Sequence, residues 1–271
     1  MVLLGTLGLQ ADVLADGASA YQNGQYAKAV TYYTKACDAG VMKGCSNLAE
    51  MYLTGEKVKR NYPAALTLSQ KACDGGDAKG CLVLAGMYRY GVVVKQDNST
   101  ARTLLKKACD GGNMEGCSDL GLLYEKGEGG VKQNSATAVT FYKKACEGDF
   151  ALGCRNLGVM YAKGQGVKQD YSVAATYYKK ACDDGGIMGC GNLGMLYLKG
   201  QGVKQDLVVA AKLFQKNCDL GDAKGCLVLG LMYVDGQGVQ QDLRRAKHLL
   251  DRACQQGVQL GCTYYNRLKK Q

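Results

Sequence analysis

Six times along the chain a cysteine is followed by leucine three residues on, a small residue four on and tyrosine seven on. The leucines are Leu48, Leu84, Leu120, Leu157, Leu193 and Leu229. The small residues are Ala49, Ala85, Gly121, Gly158, Gly194 and Gly230, and the tyrosines Tyr52, Tyr88, Tyr124, Tyr161, Tyr197 and Tyr233. Offsets of zero, three, four and seven share one face of an α-helix. Each stretch therefore predicts a helix with one apolar stripe, whose small residue lets a neighbouring helix come close. Gly55, Gly91, Gly127, Gly164, Gly200 and Gly236 predict where these helices end, because glycine takes the left-handed conformation that closes a helix.

A second helix is predicted after each of these. Asn61, Asp97, Asn134, Asp170, Asp206 and Asp242 each precede another cysteine by twelve residues and suit an N-cap. Pro63, the single proline, falls in the first turn after such a cap, where its missing N–H costs nothing. Alanine recurs eight residues before that cysteine, from Ala29 to Ala246. A cation recurs two before it: Lys35, Lys71, Lys107, Lys144, Lys180, Lys216 and Arg252. A cation in a last helical turn offsets the helix dipole, so this row reads as a solvated face.

The cysteines give the period. They pair as Cys37/Cys45, Cys73/Cys81, Cys109/Cys117, Cys146/Cys154, Cys182/Cys190, Cys218/Cys226 and Cys254/Cys262, eight residues within each pair and 36 between pairs, with one step of 37. The extra residue falls in Gly127-Glu128-Gly129-Gly130-Val131, where later repeats read Gly-Gln-Gly-Val, so it belongs to a loop. The expected fold is all-α: a right-handed α/α superhelical solenoid of about seven helix-pair repeats with a C-terminal capping helix. The first unit turns at Asn23-Gly24 without the later glycine loop, and the stretch after Cys262 breaks the leucine pattern, as the ends of a stack require. Residues 1–11, apolar from Val2 to Leu9, are expected to be the remnant of a signal peptide or a disordered lead-in. Residues 12–271 are expected to form a single repeat domain.

Composition sharpens this. Fourteen cysteines in 271 residues exceed what a reduced compartment tolerates without metal chemistry, and 38 glycines with one proline suit helices joined by glycine turns. No apolar run reaches transmembrane length. Each Cys-x7-Cys spans the end of one helix, a short turn and the start of the next, which brings two side chains within disulfide reach. Zinc is the rival reading. It wants four ligands, commonly from Cys-x2-Cys knuckles or added histidines, whereas this chain has one histidine, His248, and no knuckle. Seven disulfides, no metal and no cofactor are expected. The glycine before each second cysteine, Gly44 through Gly261, is read as relief of crowding at the bridged corner, since no phosphate-loop sequence is present.

The run Gly153-Cys154-Arg155-Asn156-Leu157-Gly158-Val159-Met160-Tyr161-Ala162-Lys163-Gly164-Gln165-Gly166-Val167, with Asp170 and Tyr177-Tyr178-Lys179-Lys180-Ala181-Cys182 after it, resembles a Sel-one-like repeat, a relative of the tetratricopeptide repeat. The cysteine pair in every unit makes the chain similar to the secreted Helicobacter cysteine-rich proteins, over nearly its whole length. That resemblance implies a concave groove, a secreted or periplasmic setting and contact with host or envelope components. It also implies penicillin binding with β-lactamase activity as an alternative. The residues lend that alternative little: Ser-x-x-Lys, Lys-Thr-Gly and Ser-Asp-Asn are all absent, so no catalytic residue is assigned.

The leading expectation is a scaffold binding a peptide or protein. Its candidate residues are Asn47, Asp119, Asn156 and Asn192, two after a second cysteine, and Lys126, Lys163 and Lys199, nine after it. Val83 and Val228 interrupt the first row. Offsets of two and nine lie on one side of a helix, and an asparagine amide can pair with both N–H and C=O of a bound backbone. The net charge of +10 adds attraction to acidic surfaces, while lysines spread over every repeat argue against nucleic acid. A monomer is expected.

Overall fold

The computed structural model describes residues 3–269, with side chains from residue 12 onward. The lead-in expected over residues 1–11 thus lies outside the described side chains. Among the described residues there are fifteen helices and no strand, in two compact units, Met1–Asn134 and Ser135–Gln271. The first unit holds α1 (Leu3–Gln22), α2 (Tyr26–Asp38), α3 (Met42–Thr54), α4 (Tyr62–Asp74), α5 (Ala78–Tyr90), α6 (Asn98–Asp110) and α7 (Met114–Lys126). The second holds α8 (Ser135–Glu147), α9 (Ala151–Lys163), α10 (Tyr171–Asp183), α11 (Ile187–Lys199), α12 (Leu207–Asp219), α13 (Ala223–Asp235), α14 (Leu243–Gln255) and α15 (Gln259–Lys269). Within each unit every helix packs on its chain neighbours, and α3 also meets α5 as α9 meets α11. The fold class is the all-α superhelical repeat that the cysteine register predicts.

The helices begin and end where the repeat places the punctuation. Asn61, Asp97, Asp170, Asp206 and Asp242 each accept backbone N–H donors through their side chains, and six glycines from Gly55 to Gly236 close their helices in the left-handed conformation. The glutamine before several of these caps faces the other way. Gln169 donates to the carbonyl of Ala162 at 2.8 Å, and Gln205 to that of Leu198 at 2.8 Å. One Gln-Asp step therefore satisfies the end of one helix and the start of the next.

The core follows the periodic stripe. The six leucines are buried, and the seven recurring alanines from Ala29 to Ala246 have no exposed surface. Ring and glycine fit as knob and hole: a Cβ on Gly158 would lie 2.6 Å from the Tyr178 ring, and one on Gly194 would lie 3.1 Å from Phe214. The glycine before each second cysteine behaves in the same way. A Cβ on Gly44 would lie 2.7 Å from that of Ala36, and one on Gly189 2.7 Å from that of Ala181. Crowding at the corner, not ligand binding, accounts for these glycines.

The cation row does more than face solvent. Lys71 Nζ donates to the carbonyl of Cys37 at 3.1 Å, Lys180 to that of Cys146 at 2.8 Å, and Lys216 to that of Cys182 at 2.9 Å. Each lysine reaches back one repeat to a helix C-terminus, where carbonyls lack intrahelical donors and the dipole favours a cation. The lysine thus joins repeats as well as solvating one.

Candidate ligand-binding face

All seven cysteine pairs are joined: Cys37–Cys45, Cys73–Cys81, Cys109–Cys117, Cys146–Cys154, Cys182–Cys190, Cys218–Cys226 and Cys254–Cys262, with Cα atoms 4.4 to 4.7 Å apart. No cysteine is free, and among the described residues no cluster of histidine, cysteine and carboxylates could hold a metal. Each bridge ties the last turn of one helix to the first turn of the next, so the residues just around the second cysteine are held on a fixed corner. The second cysteines Cys45, Cys81, Cys117, Cys154, Cys190 and Cys226 are themselves buried. Their sulfurs hold the frame and present nothing to a ligand, so the binding candidates are the side chains beside them.

In the first unit the face around those corners is occupied by its own charges. Asn47, two residues past Cys45, accepts a hydrogen bond from Lys79 Nζ at 2.9 Å, and the same ammonium pairs with Glu50 at 2.6 Å. Asp119, two past Cys117, pairs with Arg89 at 3.5 Å, and Arg89 also approaches Glu128 at 3.8 Å. Lys126 stands 3.9 Å from Glu128. Partial burial pushes the Asp119 carboxyl above the ordinary carboxylate range, and the Arg89 guanidinium draws it part of the way back.

The second unit differs. The position two before the second cysteine carries Lys43, Lys79 and Glu115 in the first unit but Leu152, Met188 and Leu260 in the second, with Lys224 the one charge. Met188 is 51% and Leu260 50% exposed. Both line a cavity of about 550 Å³ together with Asn192 and Val228. Its walls come from α9, α11, α12, α13 and α15 and the turns before α13 and α15. The structure thus brings Asn192 together with Val228, the neighbour that breaks the polar row. No cysteine lines the cavity, although Gly225 and Leu227, on either side of the bridged Cys226, both do. Asn156 stands beside this cavity through Arg155, whose Nη1 donates to its Oδ1 at 2.9 Å. Lys163 and Lys199, both exposed, do not line it.

Two contributors were not singled out from sequence. Arg155 lines the cavity, and its Nε is buried with no hydrogen-bond partner. Asn217 is 1% exposed and donates to the carbonyl of Ile187 at 2.6 Å and to Asp222 Oδ2 at 3.2 Å. Alanine stands at its position in every other repeat (Ala36, Ala72, Ala108, Ala145, Ala181, Ala253), so the break in register was the available signal.

With this geometry in hand, the Sel1 repeat family model matches seven stretches: 11–41, 43–77, 78–113, 115–150, 151–186, 187–222 and 223–258. The chain belongs to the Sel1 repeat family. With seven disulfides, each running from the end of one matched stretch into the residues that follow it, the chain is a cysteine-rich member, as the likeness to the Helicobacter proteins implied. A 43-residue stretch, 16% of the chain, is 44% identical to the "Putative beta-lactamase HcpE" of Helicobacter pylori and spans 12% of that protein. The Sel1 repeat protein of Oxalobacter formigenes is similar at 28% identity with a TM-score of 0.78, covering 96% of this chain and 76% of that one. The protective antigen c5321 of uropathogenic Escherichia coli, which displays an SLR fold, also matches at 28% identity and TM-score 0.78. That match covers 88% of this chain and 51% of c5321, so this Sel1 repeat chain spans about half the length of that antigen. Sel1 repeats are protein-interaction scaffolds, and the seven disulfides call for an oxidising compartment. Among the described residues no helix is long and apolar enough to cross a membrane.

Proposed function

We propose that this chain is a secreted or periplasmic scaffold, monomeric, whose second unit holds an extended peptide segment of a host or cell-envelope protein against the face carrying Asn156 and Asn192. One observation carries the reading. In the first unit Asn47 and Asp119 already have charged partners, whereas Asn192 is half-buried at the rim of an open cavity with no side-chain bond among the described residues. An amide so placed keeps a donor and an acceptor for a strand-like backbone. Helix pairs bridged at each corner hold it in one position, which lowers the entropy cost of binding.

Selection of a random-peptide phage library on the oxidised protein tests this. Enrichment is expected on the native chain and is expected to vanish on Asn156→Ala/Asn192→Ala while the helical circular-dichroism signal is unchanged. Equal enrichment on both proteins would remove the assignment.

A further inference from the structure

The 550 Å³ cavity beneath Asn192 combines features that specify a ligand more narrowly than a peptide backbone does. Its floor is set by Asn217, which stands where other repeats have alanine and is accommodated by Gly225 and Gly191 against its amide. A Cβ at Gly191 would come 3.2 Å from Asn217 Oδ1, so the missing side chains are what leave room for the amide. Its walls include the thioether side chains of Met188 and Met195 and the half-exposed Leu260. Methionine adapts its shape to varied apolar partners. Arg155 brings a cation whose Nε has no acceptor, and among the described residues no carboxylate forms an ion pair with it. The cavity's one carboxylate, Asp222, is engaged by the Lys224 N–H at 2.9 Å and by Asn217. A buried guanidinium N–H without an acceptor is a cost that an incoming carboxylate removes. The chain's net charge of +10 draws anionic ligands.

We propose that this cavity is an anchor pocket that takes a large apolar side chain of a peptide, with Arg155 holding an acidic side chain next to it in the same peptide. This rests on the reading that the Asn156/Asn192 face binds peptide, and it names the kind of segment that face selects: acidic, with a leucine- or methionine-like anchor. A cavity of this volume lies in the range that encloses small ligands and holds a few residues.

The test uses the full oxidised chain with 13C-methyl-labelled methionine, because Met188 and Met195 report from inside the cavity. Acetyl-Glu-Leu-Glu-amide, blocked at both ends, is titrated by NMR against acetyl-Gln-Leu-Gln-amide and acetyl-Glu-Ala-Glu-amide. Acetyl-leucine with a free carboxylate is the arm for a chain terminus. Saturable shifts of the Met188 and Met195 methyls are expected with the acidic leucine peptide, at least about fivefold tighter than with either altered peptide. Arg155→Met is expected to abolish the preference for Glu over Gln, read as the ratio of the two peptides' affinities for the variant. Asn217→Ala, which restores the residue of the other six repeats and so suits the fold, is expected to weaken the leucine peptides alone. Equal binding of the acidic and neutral peptides overturns the Arg155 assignment, and tighter binding of acetyl-leucine overturns the internal segment in favour of a chain end. Failures of the two readings separate. Loss of phage enrichment in the Asn156/Asn192 variant with silent methionine methyls overturns the pocket and keeps the face. Methyl shifts that persist in that variant keep the pocket and remove the asparagines.

Discussion

Lys216 Nζ lies 2.9 Å from the carbonyl oxygen of Cys182, 34 residues earlier and one repeat back. The lysine stands in the last turn of α12, and its acceptor is at the C-terminal end of α10. Two helix ends therefore share one cation. Lys216→Met should keep the aliphatic stem and lose the bond, lowering unfolding free energy by about 0.5–1 kcal/mol because the side chain is exposed. Lys212→Met, exposed on the same helix, should change stability by less than about 0.5 kcal/mol. Urea denaturation of the two variants side by side checks the difference.

That bond shows where sequence reading stops. The period, the helices, the caps and the disulfide partners were all legible, because each rests on a residue type whose local chemistry is nearly unambiguous at that spacing. A lysine before a cysteine is different. Its local reading, a cation in a last turn, is satisfied by its own helix, and only stacking reveals the acceptor one repeat away. The candidate site divides similarly. Asn47 and Asn192 occupy equivalent repeat positions, yet Lys79 bonds the first and nothing described bonds the second. The neighbour 32 residues on is a lysine in both cases, Lys79 and Lys224, so the residue type is the same and only the side-chain packing distinguishes the two asparagines. Arg155 and Asn217 stand outside the recurring pattern, so recurrence carries no signal for either.

Two helical glycines should respond in opposite directions to alanine. Gly189 faces Ala181 and the Cys182 backbone nitrogen, with an added Cβ at 2.7 and 2.8 Å. The bridged corner cannot open freely, so Gly189→Ala should destabilise by about 1–3 kcal/mol. Gly86 lies within α5 and an added Cβ would meet nothing within 4 Å. Gly86→Ala should stabilise by about 0.5–1 kcal/mol by restricting the unfolded chain. Melting temperatures that move the same way for both would contradict this account of the glycines.

Acid should reveal two carboxylates with opposite effects on stability. Asp97 accepts from Ser99 and Thr100 and is held well below the ordinary carboxylate range. A depressed folded-state value gives stability that is present above the unfolded value and lost as pH falls through the folded one. Asp119 is raised by burial despite Arg89, so its protonated form favours the folded state and stability gains as pH falls through its raised value. Stability measured from pH 7 downward should therefore first rise, from Asp119 and from Glu115, which burial raises likewise, and then, below about pH 4, fall from Asp97. Asp119→Asn should shrink the first limb, leaving the share due to Glu115, and Asp97→Asn should flatten the second. A native profile without the rise would show that Arg89 outweighs burial at Asp119.

The disulfides set how far such local changes spread. In each repeat the bridge closes a loop of the same size, eight residues of sequence separation, so the chain-entropy contribution should be nearly equal for every pair, about 2–3 kcal/mol. What differs is position. Cys182 and Cys190 are buried in the middle of the second unit, whereas Cys254 and Cys262 are partly exposed at its end. A repeat array is coupled only through adjacent interfaces. Replacing the pair Cys254/Cys262 by alanine should lower the urea midpoint and loosen only α14 and α15. Replacing Cys182/Cys190 should lower it by a similar amount and also reduce the m-value, because α11 sits between two interfaces and its loosening separates the helices on either side. Hydrogen exchange resolved by helix distinguishes the two. Protection lost evenly across α8 to α15 in both variants would mean that the unit unfolds as one block whichever bridge is absent.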